Sequence, residues 1–277
     1  MKKNERAAAI VRTIVVSLIA VLFVVPLVWM VLSSIKTAPE VFARPFHWLP
    51  AKAQWQNYAT VWMNEEASML RAFANTLYIA LFSIIGQMFI SSLAAYSFAK
   101  INFKGKQVVF MLFLSSMMVP SQLTIIPRFM LFKTIGLYNN LWAIILPAFF
   151  GATSIFMLRQ FYMGLPNDLI EAAKIDGAGH LRIFLRIMLP LTKAALMSLI
   201  ILAFISSWNE YMAPLIFLVK KELYTVSQNI QWYMLDEFKE HNLTMAAATS
   251  AIVPVVILFI VGQKYFVEGI ATSGVKG

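Results

Sequence analysis

The chain has 277 residues, of which 60% are apolar and 13% charged, with no cysteine and a formal net charge of +10. A charged share about half the usual ~25% excludes a soluble globule of this size, and the lack of cysteine excludes disulfides, thiolate metal sites and a cysteine nucleophile. The positive balance reads as loop charge that orients a membrane protein, in preference to a nucleic-acid surface.

In chain order, gaps in the charge pattern predict six apolar helices. Residues 13–35, 72–99, 107–127, 134–158 and 241–263 hold no Asp, Glu, Lys or Arg, and residues 194–219 hold only Glu210. Each gap meets the roughly 20 residues that a helix needs to cross a hydrocarbon core. In lipid every backbone amide must be satisfied internally, so runs of this length are expected as helices. The apolar run at 13–35 is longer than the roughly 7–15 residues of a signal-peptide core, so a retained span is expected there.

The stretch 36–71 is expected as the first extracytoplasmic loop. Trp55, Tyr58 and Trp62 recur in it at i, i+3 and i+7. Such a stripe suits either a docking surface or an interfacial helix at headgroup level.

Prolines fall inside the spans at positions 26, 120, 127, 147, 214 and 254, where each removes a donor and favours a kink. Polar residues in lipid are costly unless they face protein or water, which makes Asn75, Gln87, Gln122, Asn209 and Glu210 candidates for lining a pathway. Glu210 is equally readable as a helix end emerging beside Trp208.

With the N-terminus inside, 14 of the 23 Lys and Arg residues fall on inner segments and nine on outer ones. The long first outer loop holds four of those nine, and long loops weigh little. Both termini are therefore expected in the cytoplasm, together with residues 164–190.

That inner segment contains EAAKIDGAGHLRIFLRIMLP at 171–190. Asp168 and Glu171 have capping-box spacing, and a short helix is expected to end at Asp176 with Gly177 as a positive-φ cap. A second helix is expected from Gly179 to just before Pro190, with Leu181, Phe184, Leu185 and Met188 on one face. A helix-turn-helix can also read DNA, but this one is confined between spans and its second helix is strongly apolar.

The stretch resembles the EAA loop of ABC importer permeases: Glu-Ala-Ala, three residues, Gly, nine residues, then Ile-x-Leu-Pro. Here these are Glu171, Ala172, Ala173, Gly177, Ile187, Leu189 and Pro190, with the spacing intact. MVPSQLTIIP (118–127), GLYNNLWAIILP (136–147) and the ending YFVEGIATSGVKG (265–277) resemble the carbohydrate-type permeases, the family of the smaller maltose permease subunit. The resemblance covers essentially the whole chain.

The resemblance implies an all-α integral membrane protein of the plasma membrane. It would be a single multi-pass permease domain over 1–277, with six transmembrane helices in the type I ABC importer permease fold. It implies pairing with a second homologous permease, two ATPase subunits, an extracytoplasmic solute-binding protein and a sugar substrate, within membrane lipid and without nucleic acid. No cofactor is expected on this chain; ATP and Mg belong to the partner ATPase. By position, Glu171 would pair with a basic residue of the ATPase cleft, Ala172 and Ala173 would permit close packing and Gly177 would form the turn, with Asp176, Ile187, Leu189 and Pro190 in the same ATPase-coupling segment. The tail at 268–277 would also touch the ATPase pair.

The chain has no phosphate loop, H-E-x-x-H or G-x-S-x-G, and His47, His180 and His241 lie far apart. A subunit without catalysis of its own is expected. An ion-driven secondary transporter is the competing class, but it relies on ionisable residues within spans and here Glu210 alone is offered.

Overall fold

A computed structural model describes the backbone of residues 2–235 and 240–274 and the side chains of residues 6, 8–235 and 240–263. Among the described residues there is helix and no strand. The helices used below are α1 (Lys2–Ser34), α2 (Gln56–Met63), α3 (Met69–Lys100), α4 (Lys106–Ser115), α5 (Ile125–Thr134) and α6 (Trp142–Ala148). They continue with α7 (Ala152–Met163), α8 (Asp168–Ile175), α9 (Lys193–Trp208), α10 (Val226–Met234) and α11 (His241–Gly274).

Among the described residues four segments are long and apolar enough to cross a bilayer: Ala8–Ser34, Met69–Lys100, Trp142–Met163 and His241–Gln263. Two bent pairs, Lys106–Met118 with Ser121–Thr134 and His180–Leu191 with Lys193–Trp208, raise the number to six where each counts as one span. The pairs bend by 92° and 76°.

Two boundaries differ from expectation. The span expected at 134–158 begins at Trp142, because α5 runs to Thr134 and Gly136, at φ +76°, then stops it. The Leu137 amide donates to the Phe132 carbonyl at 2.8 Å, which closes that helix end. The span expected at 194–219 ends at Trp208, with a separate turn at Met212–Phe217.

The chain divides into two compact units, Met1–Leu70 with Asn229–Val253, and Arg71–Gln228 with Pro254–Gly277. In the first, the apolar window of α1 has none of its residues buried, as suits a helix solvated by lipid. The segment after it is held by polar bonds. Asn57 Nδ2 donates to the carbonyls of Ser34 and Lys36 at 2.8 and 2.9 Å, and Asn242 Nδ2 donates to Asn57 Oδ1 at 3.1 Å.

The aromatic stripe of α2 is spent within this unit. The Tyr58 hydroxyl lies 2.7 Å from Ser34 Oγ, and Trp62 Nε1 donates to Ser250 Oγ at 3.1 Å. Trp55 stays exposed. Tyr233 donates to the Ala67 carbonyl at 3.0 Å, and burial pushes its phenol up to about 12.

Buried apolar clusters organise the second unit. One gathers Tyr96 of α3, Leu158 and Tyr162 of α7, and Leu199 of α9 around the segment 170–188. Another joins Ile79, Phe132, Ile145 and Phe217. Basic residues secure the end of α3: Lys106 Nζ donates to the Ile101 carbonyl at 3.0 Å and Arg159 Nε to the Phe98 carbonyl at 3.3 Å. Cations are well suited to the exposed carbonyls of a helix C-terminus.

Candidate functional site

Two places in the second unit carry candidate functional residues: the 164–190 loop and a polar cavity among the spans.

The loop is built on α8. Its N-cap is Asn167, with Asp168 already the first helical residue, so the expected capping box is not formed. The Asn167 side chain instead accepts a hydrogen bond from Lys100 Nζ at 2.6 Å, and the same ammonium donates to the Leu165 carbonyl at 2.7 Å. At the other end the Ala178 amide donates to the Ala173 carbonyl at 2.9 Å and the Gly177 amide to the Lys174 carbonyl at 3.0 Å. This pair of bonds is the Schellman motif, which requires a left-handed residue between helix and exit. Gly177 fills that position at φ +75°.

Beyond the turn, Gly179 caps a helical turn at His180–Ile183, and Phe184–Met188 form a π-turn. The helix passes through Pro190, which sits in the first turn of Leu189–Leu191. The missing amide of a proline is harmless at that position. Thr192 Oγ1 donates to the Leu189 carbonyl at 2.9 Å at the bend. The extra residue of the π-turn rotates the expected stripe: Phe184 and Met188 are buried beside Ile183, whereas Leu181 and Leu185 are exposed.

The loop therefore has two faces. Ile170, Ala173, Ile183, Phe184 and Met188 belong to the same buried cluster as α3, α7 and α9, with Ile187 and Leu189 packed against it. Glu171, Ala172, Asp176, Gly177 and Pro190 are exposed, and Ile175 is 87% exposed. The Tyr96 hydroxyl lies 3.1 Å from His180 Nδ1 and ties the base of the second helix to α3.

The cavity has a volume of about 340 Å³ and brings Gln87, Gln122 and Glu210 together with Arg128 and serines of α9. Gln87 Nε2 donates to Ser154 Oγ at 3.0 Å. Gly151 makes this approach possible, because a Cβ there would overlap the Gln87 side chain. Glu210 Oε1 accepts the Ala213 amide at 3.0 Å and so caps the turn at Met212–Phe217.

Asn75 and Asn209 do not line this cavity. Asn75 Nδ2 donates to the carbonyls of Glu222 and Tyr224 at 2.8 and 3.1 Å, and Asn209 Nδ2 to the Ile205 carbonyl at 2.8 Å.

Arg128 was not singled out by the sequence because it follows Pro127, where the charge gap ends. The bent span continues to Thr134 and carries Arg128 inward. Its guanidinium lies 5.1 Å from the Phe217 ring centroid. The proposed tail contact at 268–277 falls outside the described side chains. Among the described residues no group of His, Cys, Asp and Glu is arranged to hold a metal ion.

A protein family described as Binding-protein-dependent transport system inner membrane component matches residues 87–272. The arabinooligosaccharides transport system permease protein AraQ of Bacillus subtilis is 33% identical over 267 residues, which cover 96% of this chain and 95% of that protein. The sn-glycerol-3-phosphate transport system permease protein UgpE of Pectobacterium atrosepticum is 29% identical over 266 residues, 94% of each chain. Among solved structures, a chain of a bacterial ABC transporter involved in the import of the acidic polysaccharide alginate shares the fold. Its TM-score is 0.84 over 95% of this chain and 98% of that one, at 23% identity.

Proposed function

The chain belongs to the family of binding-protein-dependent transport system inner membrane components, multi-pass membrane proteins, and from that premise we propose that it forms half of the translocation pathway of an ATP-driven sugar importer. A second, homologous permease supplies the other half, and an extracytoplasmic solute-binding protein delivers the sugar. Two ATPase subunits bind ATP and Mg and hydrolyse the nucleotide. Both termini and the 164–190 loop lie on the cytoplasmic side, and no nucleic acid is involved.

The observation that carries this reading is the division of the loop into an exposed knob and a buried root. Glu171, Ala172 and Ile175 protrude as a carboxylate, a small side chain and an apolar tip, a combination suited to a groove in another protein. Ile170, Ala173, Phe184 and Met188 share one close-packed cluster with three spans. A push on the knob therefore reaches the spans through packed side chains, which transmit displacement instead of absorbing it.

Sugar as the cargo is supported by the arabinooligosaccharide relative. Gln87, Gln122 and Glu210 line the pathway on this chain, while Asn75 and Asn209 hold neighbouring backbone.

The test uses the chain's lack of cysteine. Ile175→Cys in the assembled transporter should crosslink to an ATPase subunit, with a yield that changes when a non-hydrolysable ATP analogue closes the motor. A transporter that turns over while the thiol introduced at position 175 reaches no nucleotide-hydrolysing subunit would remove the knob from the mechanism.

A further inference from the structure

Among the irregular stretches of the second unit are 119–120, between two 3-10 turns that join α4 to α5, 149–151 between α6 and α7, and 209–211 after α9. Residues at or next to each of these breaks line the 340 Å³ cavity: Ser121 and Gln122 follow the first, Pro147 and Ala148 precede the second, and Glu210 lies in the third. Non-helical backbone at membrane depth persists only where protein buries it or a water-filled cavity hydrates it. Interrupted helices that converge on one polar cavity are a favourable construction for holding a solute. The volume lies in the range of small-molecule sites, about 300–1,000 Å³.

The lining indicates which solute. Arg128 offers only donors, Glu210 only acceptors, and Gln87, Gln122, Ser206 and Ser207 offer both. Arg128 Nε is buried and has no hydrogen-bond partner, and a buried polar group left in that state calls for one. The stack of its guanidinium on Phe217 and the tether of Glu210 Oε1 to the Ala213 amide hold both groups in place before any solute arrives.

A hydroxyl donates and accepts, so a polyol satisfies both charged groups at once. A carboxylate or phosphate would satisfy Arg128 but face Glu210, and an ammonium would face Arg128; like charges set together in this way suppress the wrong partner. The relatives include transporters named for a neutral oligosaccharide and for a phosphate ester, so family membership leaves the charge of the cargo open.

We propose that this cavity is a subsite on this chain for a neutral polyhydroxylated solute, with Arg128 and Glu210 as its specificity-determining pair. The proposal rests on the permease reading above.

The experiment uses the complete transporter in proteoliposomes, with Ser206→Cys as the reporter. Its modification by an anionic and a cationic methanethiosulfonate is read by mass spectrometry of this chain, with and without arabinobiose or glucuronate. Glu210→Gln should raise the anionic-to-cationic rate ratio by about tenfold, and Arg128→Gln should lower it similarly. Arabinobiose should protect the reporter thiol and glucuronate should not. Arg128→Lys, which keeps the charge but loses the planar fork, should retain the reagent preference and lose the protection.

Rate ratios unmoved by both charge variants, or protection by neither sugar, would overturn the proposal. Equal protection by glucuronate would overturn its selectivity. Uptake without dependence on ATP would overturn the importer reading while leaving the protection and the rate ratios to decide the subsite.

Discussion

Lys100 Nζ, on the last residue of α3, lies 2.6 Å from Oδ1 of Asn167, the N-cap of α8. One ammonium thus joins the end of a long span to the start of the protruding loop, and it also holds the Leu165 carbonyl. Hydrogen bonds to a charged group are worth about 1.5–3 kcal/mol, and the half-exposed setting of Lys100 places it at the lower end. Lys100→Met should lower the Tm of the purified transporter by a few degrees and reduce uptake per ATP hydrolysed. Unchanged stability and coupling would show that the bridge is incidental.

Gly177 is the second point of control. Its φ of +75° costs a residue with a Cβ about 1–2 kcal/mol, while no atom lies within 4 Å of the place such a Cβ would occupy. The penalty is therefore conformational and not steric. Uptake should fall in the order Gly, Asn, Ala, Val at this position, because Asn tolerates the left-handed region. A Val variant that transports normally would show that coupling does not need the Schellman exit.

Gly151 tests the cavity wall. A side chain there would displace Gln87 from Ser154. Gly151→Val should reduce uptake well beyond any loss of protein from the membrane, measured as radiolabelled sugar accumulated per transporter. Normal uptake would place the pathway elsewhere.

Glu40 supplies a pH dependence in the first unit. Its Oε2 accepts from the backbone amide and hydroxyl of Thr37 at 2.9 and 3.0 Å, and these bonds hold its carboxyl below the ordinary value of 4.5. A lowered carboxyl contributes stability above its unfolded value and loses it as pH falls through the folded one. Hydrogen exchange of residues 37–42 should therefore be protected alike from pH 8 to 5, once corrected for intrinsic rates, and faster below 4.5. Glu40→Gln should remove the difference; a variant with the same profile would contradict the cap.

Features that depend on local chemistry were legible in the sequence. The apolar segments follow from charge gaps, and the helix–Gly–helix loop follows from residues a few positions apart. Charge gaps do not register a helix stop, so Gly136, which ends α5, shifted the fourth span by a turn or more. They also placed Arg128 in a loop when a bent span carries it to the cavity. The π-turn at 184–188 moved the buried face by one residue in a way that a period of 3.6 cannot foresee. The cavity needs α3 set against the break at 149–151 by close approaches at Gly86 and Gly151, contacts made by residues distant in the chain.

Coupling of the 164–190 loop to an ATPase is read from purification of the tagged chain from native membranes in mild detergent. The eluate would be identified by mass spectrometry and assayed for ATP hydrolysis, for the wild type and for Glu171→Lys. A second permease and an ATPase should co-purify with the wild type, and Glu171→Lys should keep the permease while losing the ATPase. Loss of a partner from a buried charge pair costs about 2–5 kcal/mol of binding, enough to empty the site on a column. A chain that elutes alone, hydrolyses nothing and still moves solute when reconstituted, or a Lys variant that keeps its full ATPase, would contradict the coupling.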